Sequence, residues 1–493
     1  MRLPTTILLA LTAFALWASP VGAQSVLTYH GAVGRAGNFT MPAISWERAH
    51  ELRPVADFAP HFAGHLYAQP LYWTPPDGGR ARLVVATESN TVAAIDAGNG
   101  TTVWSRTLGP PVPLSALPCG NIDPLGVTGT PVIDDASATL YLDAVIGGQG
   151  GPHHRIFAIS LADGLVKPDW PIDIADALHA QGQSFDPQVQ NQRGALTILD
   201  QTLFVPFGGH FGDCGDYHGW VVGVPLAAPH TIRFWRSRGK AGGIWAPGGI
   251  ASDGQSLYVT TGNTEGATEW ADGEAVFRLA PDLHRSEAKN DFFAAKDWRA
   301  LDERDADLGG TNPLPFTIPA SGGDLQRLVL ALGKDQRAYL LDPLDLGGIG
   351  SSLVAEKVTT YPIRTAPAEF PSAGAAYVAF QGRGANCPAG QHGDLTVLKI
   401  RAGTPPGIET AWCGAMSGGG APIVTTTDGT ANPIVWILGA EGDNRLHGFR
   451  GDTGAVVFTS EPLAGLRHFQ TLIAADNRLY VGADGRLYAF TLP

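Results

Sequence analysis

The stretch VVATESNTVAAIDAGNGTTVW, Val84 to Trp104, decides the fold, because it holds a whole supersecondary unit in 21 residues. A β-rich run is followed by a second strand ending in Ala94-x-Asp96. A tight turn then offers Gly98 and Gly100, where positive φ costs little, and a third strand closes on Trp104. The unit is a β-meander with an aromatic lock. It returns in altered form as RIFAISLADGLVKPDW (Arg155 to Trp170), NRLHGFRGDTGAVVF (Asn444 to Phe458) and LYVGADGRLYAFTLP at the C-terminus. Repetition of this kind predicts a propeller or solenoid rather than a set of independent domains.

Working outward, strand-and-turn units fall at 66–108, 126–173, 193–237, 241–285, 310–350, 372–413, 418–458 and 467–493. With 63 Gly, 37 Pro and hardly any apolar spacing of helical period, the chain reads as all-β: an eight-bladed propeller of four-stranded antiparallel blades over residues 24–493. The last unit is short of one strand, and ELRPVADFAP (Glu51 to Pro60) is positioned to supply it, closing the ring with N-terminal sequence. Inserts near 110–125, 174–192 and 286–309 are expected to cap one rim, where propellers place binding residues.

Residues 1–23 have the form of a secretory signal, with Arg2, an apolar run from Ile7 to Trp17 and a small-residue site before Gln24. The apolar run is about 11 residues, short of the roughly 20 that span a bilayer, so a periplasmic or secreted protein is expected. Cys119, Cys214, Cys387 and Cys413 allow three disulfide pairings, of which Cys119–Cys214 and Cys387–Cys413 are favoured as structural staples. No Cys-x-x-Cys-His is present for an attached haem. A net charge of −13 makes nucleic acid and anionic membrane surfaces poor partners.

The spacing of Ala94, Asp96, Gly100 and Trp104 resembles the repeat of quinoprotein (PQQ-type) alcohol dehydrogenase propellers, in which the Trp of one blade stacks on the next. Non-enzymatic propellers such as the outer-membrane protein assembly factor share it. GGIWAPGGIASDGQSLYVTTGNTEG (Gly242 to Gly266) resembles the dehydrogenase segment carrying the quinone's floor and a calcium ligand. That resemblance implies stacking on Trp245 and an amide oxygen from Asn263 for calcium, roles that an indole face and a hard-ion donor suit. LVLALGKDQRAYLLD (Leu328 to Asp342) implies Lys334 as the cation facing the quinone oxygens. In NDFFAAKDWRALDERDADLGG (Asn290 to Gly310) the family's catalytic Asp motif is broken, and among Asp302, Asp305 and Asp307 the candidate base is Asp302. The structural alternatives are a blade-docking Trp245, a turn at Asn263, a solvated Lys334 and an acidic surface loop.

The family's Glu ligand is missing from the corresponding stretch GGQGGPHHRIFAI, which puts a conventional calcium site in doubt. His153 and His154 stand there instead, and FGGHFGDCGDYHGW adds His210 and His218, an alternative set for a transition metal, with polar loop packing as its structural counterpart. The favoured function is therefore a quinoprotein-like oxidoreductase acting on an alcohol or related hydroxyl and passing electrons to a separate carrier; the alternatives are a propeller that binds a protein or ligand without catalysis, and a metal enzyme using the His-rich loops.

Overall fold

The computed structural model describes residues 25–493, so the signal-like segment lies outside the described residues. Eight sheets surround one axis, each beginning at its innermost strand. Blade 1 runs Leu71–Trp73, Arg82–Ala86, Thr91–Asp96 and Thr102–Thr107; blade 2 runs from Val132–Asp134 to Ile172–Asp173; and blade 3 from Gln190–Asn191 to Arg233–Arg236. Blade 4 runs from Ala251–Ser252 to Phe292–Ala294, its outer strand lying beyond the boundary expected from sequence at 285. Blade 5 spans Leu314–Pro319 to Val354–Lys357, blade 6 Ala368–Ser372 to Gly407–Gly414, and blade 7 Ile423–Thr426 to Val456–Thr459. Blade 8 holds Leu472–Ala475, Arg478–Ala483 and Arg486–Thr491, and its fourth strand is Arg53–Pro54, paired antiparallel with Arg53 opposite Thr491. The N-terminal region thus closes the ring and leaves no open sheet edge there.

The repeat's chemistry explains its recurrence. Asp96 is nearly buried, and its Oδ1 accepts from the backbone N–H groups of Gly98 (2.9 Å) and Asn99 (3.1 Å), while Gly100 takes φ +76°. Trp104 then docks on blade 2: its Nε1 donates to the Leu161 carbonyl (2.9 Å), and a Cβ on Gly164 would lie only 2.6 Å from the indole. Trp412 of blade 6 makes the same two contacts on Gly451 and Gly454 of blade 7. Phe458 meets Phe490 of blade 8 at 5.9 Å, so a Phe preserves the docking. Trp170 differs, turning edge-on to Tyr141 of its own blade at 5.4 Å.

The four cysteines form Cys119–Cys214 and Cys387–Cys413. The first ties the insert after blade 1 to blade 3. The second lies within blade 6.

A feature with no repeat signature fills the lower end of the channel. Residues 26–41 run as a strap across the inner strands, exchanging backbone bonds between Val26 and Tyr72 of blade 1 and giving the Leu27 carbonyl to Ile133 N of blade 2. The strap's Val33, Ala36 and Gly37 carbonyls accept from Ser252 of blade 4, Glu369 of blade 6 and Val424 of blade 7. It finishes as a short parallel strand, Asn38–Thr40, on blade 7. Arg35 anchors it from the fully buried axis. Its guanidinium donates to Thr28 Oγ1 (2.6 Å), the Tyr29 carbonyl (3.1 Å), the Leu196 carbonyl (2.8 Å), Thr197 Oγ1 (2.6 Å) and the Ile250 carbonyl (3.1 Å). No carboxylate is among these acceptors, so neutral dipoles hold the charge.

Replacing Arg35 by Met removes those donors and strands buried carbonyls on blades 3 and 4. At about 1–3 kcal/mol per stranded group, Arg35→Met should lower unfolding stability by about 3 kcal/mol. Chemical denaturation monitored by tryptophan fluorescence measures this, and an unchanged midpoint would contradict the anchoring role.

Candidate functional site

Above the strap the channel opens into a cavity of about 780 Å³. Its inner ring is built by register: Tyr67, Thr128, Trp245, Arg364, Gly419 and His468 each stand at the entry to a blade, Arg193 follows the first short strand of blade 3, and all line the cavity. Tyr29 of the strap lies beneath, packed with Ala195, Ala366 and Ala421.

Trp245, Asn263 and Lys334 all line this cavity, although they come from the entry to blade 4, the end of its second strand and the turn of blade 5. Ile244 beside Trp245 is fully buried and its N–H bonds the Phe207 carbonyl (3.1 Å), which fixes the indole's approach. The Trp245 Nε1 donates to Asp307 Oδ2 at 3.1 Å. Gly262 makes that bond possible, since a Cβ there would lie 2.9 Å from Nε1 and 3.3 Å from Oδ2. Lys334 Nζ sits 5.2 Å from the indole centroid and the Arg193 guanidinium 6.0 Å, both within cation–π range. The blade-entry Trp245 is therefore a wall of the cavity.

Asp307 is the residue that sequence reasoning left among three similar acids. It is 3% exposed, its Oδ2 also receives Lys334 Nζ at 2.9 Å, and its Oδ1 is buried with no hydrogen-bond partner among the described residues. Burial pushes its carboxyl up to about 6, against the pull of the Lys334 ammonium. Burial works to lower Lys334, and Asp307 and Asp305 more than offset it, so the amine stays protonated. Asp305, on the exposed side of the same loop, holds Nζ at 2.6 Å. Asp302, the candidate base from sequence, does not line the cavity; both its oxygens are engaged by Thr264, through the backbone N–H (2.9 Å) and Oγ1 (2.8 Å).

The four histidines occupy different surroundings. His153 Nδ1 lies 2.8 Å from Asp173 on the outer part of blade 2, and His154 is fully buried between Asp143 (2.7 Å) and the Gln190 carbonyl (3.0 Å). His218 contacts the Ser237 carbonyl at 3.2 Å. Of the four, His210 alone lines the cavity, with Nε2 buried and without a hydrogen-bond partner among the described residues. Among the described residues no group of three or more His, Cys, Asp or Glu side chains is placed to hold a metal ion. The Cys119–Cys214 bridge joins two segments of the cavity wall, the Asn121–Ile122 insert and the His210–Asp213 loop.

Burial, with His154 and Arg193 nearby, holds the His210 imidazole down to about 4. Its folded value thus lies below the ordinary 6.5, and the unfolded chain binds an extra proton between roughly pH 6.5 and 4, so His210 costs stability as pH falls through that window. Asp307, raised to about 6, acts in the opposite sense there. His210→Gln should therefore lose less stability than the parent between pH 7 and 4.5, in denaturant melts at the two pH values. Equal losses would show that His210 titrates normally.

No protein-family model and no curated protein matches the chain. Solved structures do. A quinohemoprotein alcohol dehydrogenase from Comamonas testosteroni superposes with a TM-score of 0.66 at 15% identity, over 95% of this chain and 80% of that one. A europium-containing methanol dehydrogenase gives 0.64 at 13% identity, over 95% and 98%. BamB from Moraxella catarrhalis gives 0.50 at 14%, over 89% and 97%. The chain has the eight-bladed fold of the quinoprotein alcohol and methanol dehydrogenases.

Proposed function

We propose that the protein is a quinone-dependent oxidoreductase that oxidises a hydroxyl group in the cavity and passes electrons to a separate carrier. The observation that supports this most is the meeting of an indole face, a protonated amine and a buried carboxyl in one cavity of small-ligand size, about 780 Å³. A quinone such as PQQ fits the residues present: Trp245 offers a stacking surface, while Lys334 and Arg193 flank it as donors for quinone oxygens. Two of the three Lys334 N–H groups face Asp305 and Asp307, which leaves one for the ligand.

Calcium fits less well. Asn263 is a neutral donor, and the carboxylates of Asp305 and Asp307 are both held by Lys334, which a divalent ion would have to displace. No step is assigned to it.

A bound quinone supplies a two-electron acceptor. The chain's own part is to position and deprotonate. We assign proton acceptance to Asp307 in place of Asp302, because Asp307 lines the cavity beside Trp245 and Lys334 and is ionised yet basic near pH 7. Export to the periplasm or beyond agrees with the two disulfides.

Titration of the purified protein with PQQ, with and without calcium, should show saturable heat, followed by dye-linked oxidation of hydroxyl substrates. Trp245→Ala should weaken quinone binding by about tenfold to a hundredfold, from the roughly 1–3 kcal/mol of stacking on a π-face. Absence of heat and turnover would overturn the assignment and leave a ligand- or protein-binding propeller. Asp307→Asn should lower turnover about 10²- to 10⁴-fold while the quinone still binds. In the parent, kcat/KM should rise with pH through about 6 as Asp307 loses its proton, then level off; a flat profile from pH 5 to 8 would remove Asp307 from the role.

A further inference from the structure

One buried acid has no part in the chemistry assigned above. Glu274 stands just before the third strand of blade 4, Ala275–Leu279, and is fully buried. Its backbone takes φ +53°, a conformation that costs energy for a residue with a side chain. Among the described residues no cation pairs with it: Lys334 is taken up by Asp305 and Asp307, and Arg337 by Asp297 and Asp335.

The Glu274 carboxyl lies against the Asp307 loop. Its Oε2 accepts from the Leu308 N–H at 2.6 Å, one residue beyond Asp307, and its own N–H bonds the Gly262 carbonyl at 3.1 Å. A Cβ on the same Gly262 would lie 3.4 Å from Asp307 Cγ, so both acids pack on one glycine. Glu274 also bonds the Asp302 carboxyl. Asp302 is half-buried at the end of the short helix Trp298–Asp302, next to the exposed Glu303 and Arg304. Three carboxyls thus run from the cavity wall toward the surface: Asp307, Glu274 and Asp302.

Two carboxyls hydrogen-bond only if one of them keeps its proton. Burial, and then the charges of Asp307, Asp302 and Asp335, hold Glu274 well above the usual carboxylate range. Burial also raises Asp302, but bonds from Thr264 and Glu274 work against it, so the shared proton rests on Glu274. Asp307 needs such a neighbour. Its Oδ2 carries Trp245 Nε1 and Lys334 Nζ, its Oδ1 is buried, and a filled cavity closes the remaining side. A proton taken up there has to leave through the protein.

We propose that Glu274 relays the proton accepted by Asp307 to Asp302, from which it reaches solvent. The relay rests on the assignment of Asp307 as proton acceptor. Asp307 passes its proton to one Glu274 oxygen as the proton on the other passes to Asp302. Asp302 then releases a proton to water, a half-turn of the Glu274 carboxyl restores the starting state, and no electrons move. Support of the Leu308 N–H alone would be met equally by a glutamine, which offers the same acceptor but no transferable proton.

Glu274→Gln and Asp302→Asn test the relay in two ways. Infrared spectra of the intact protein without quinone at pH 7 should hold a protonated-carboxyl C=O band that Glu274→Gln removes and Asp302→Asn shifts. With PQQ bound, ethanol, glycerol and glucose are tried, and the one that the parent oxidises is used. Quinone reduction in the first turnover should then keep the parent rate within about twofold in both variants, while steady-state kcat falls at least about tenfold and kcat/KM holds. A slowed first turnover in Glu274→Gln would make Glu274 a positioning residue for Asp307 and overturn the relay. An unchanged kcat in either variant, or a parent without the carboxyl band, would overturn it as well. If the parent reduces PQQ with none of the three alcohols, the oxidoreductase reading fails and the relay falls with it; a missing band beside normal turnover sinks the relay alone.

Discussion

Eight twisted sheets arranged around an axis leave the inner edge of every sheet facing a channel, and the rest of this molecule depends on how that edge is satisfied. At the lower end the strap does so, trading backbone bonds with the inner strands and setting Arg35 on the axis with five neutral acceptors. A guanidinium without a counter-ion is tolerated there because its donors meet oriented carbonyls and hydroxyls at short range. The consequence is a floor: the upper channel becomes a pocket with Tyr29 at its base.

Burial on that floor and walls also sets the electrostatics. The Trp245–Asp307–Lys334 contact places a carboxyl where desolvation and an ammonium pull its protonation in opposite directions, leaving it poised near 6. Close approach of the Asp307 loop to blades 4 and 5 relies on glycines. Gly333, for instance, would bring a Cβ within 2.8 Å of the Asp307 carbonyl. On the far wall Arg383 pairs with Asp394 and His468 with Glu441.

Much of the architecture is written in local chemistry. The Asp-x-x-x-Gly turn with its docking Trp is a short-range device, and its recurrence announces both blade count and the missing strand that Arg53–Pro54 completes. Trp245, Asn263 and Lys334 are nameable because their short motifs resemble segments of the quinoprotein dehydrogenases, and each such segment is a contiguous strand-and-turn unit. Asp307 was not, since Asp302, Asp305 and Asp307 carry one charge each within a single short run, and only the packing of that loop buries Asp307, bonds Asp302 to Thr264 and leaves Asp305 outside. Arg193, Arg364 and Tyr29 become neighbours of one cavity solely through ring closure.

By itself, then, the sequence determined the repeat, the all-β ring and its closure, because those follow from turns and strand periods a few residues long. The tertiary structure decided which acid faces the cavity, that His153, His154, His210 and His218 occupy separate surroundings, and that residues 26–41 form a floor. Those outcomes rest on contacts between residues as far apart as Arg35 and Ile250, and on burial. Neither leaves a periodic trace in the chain.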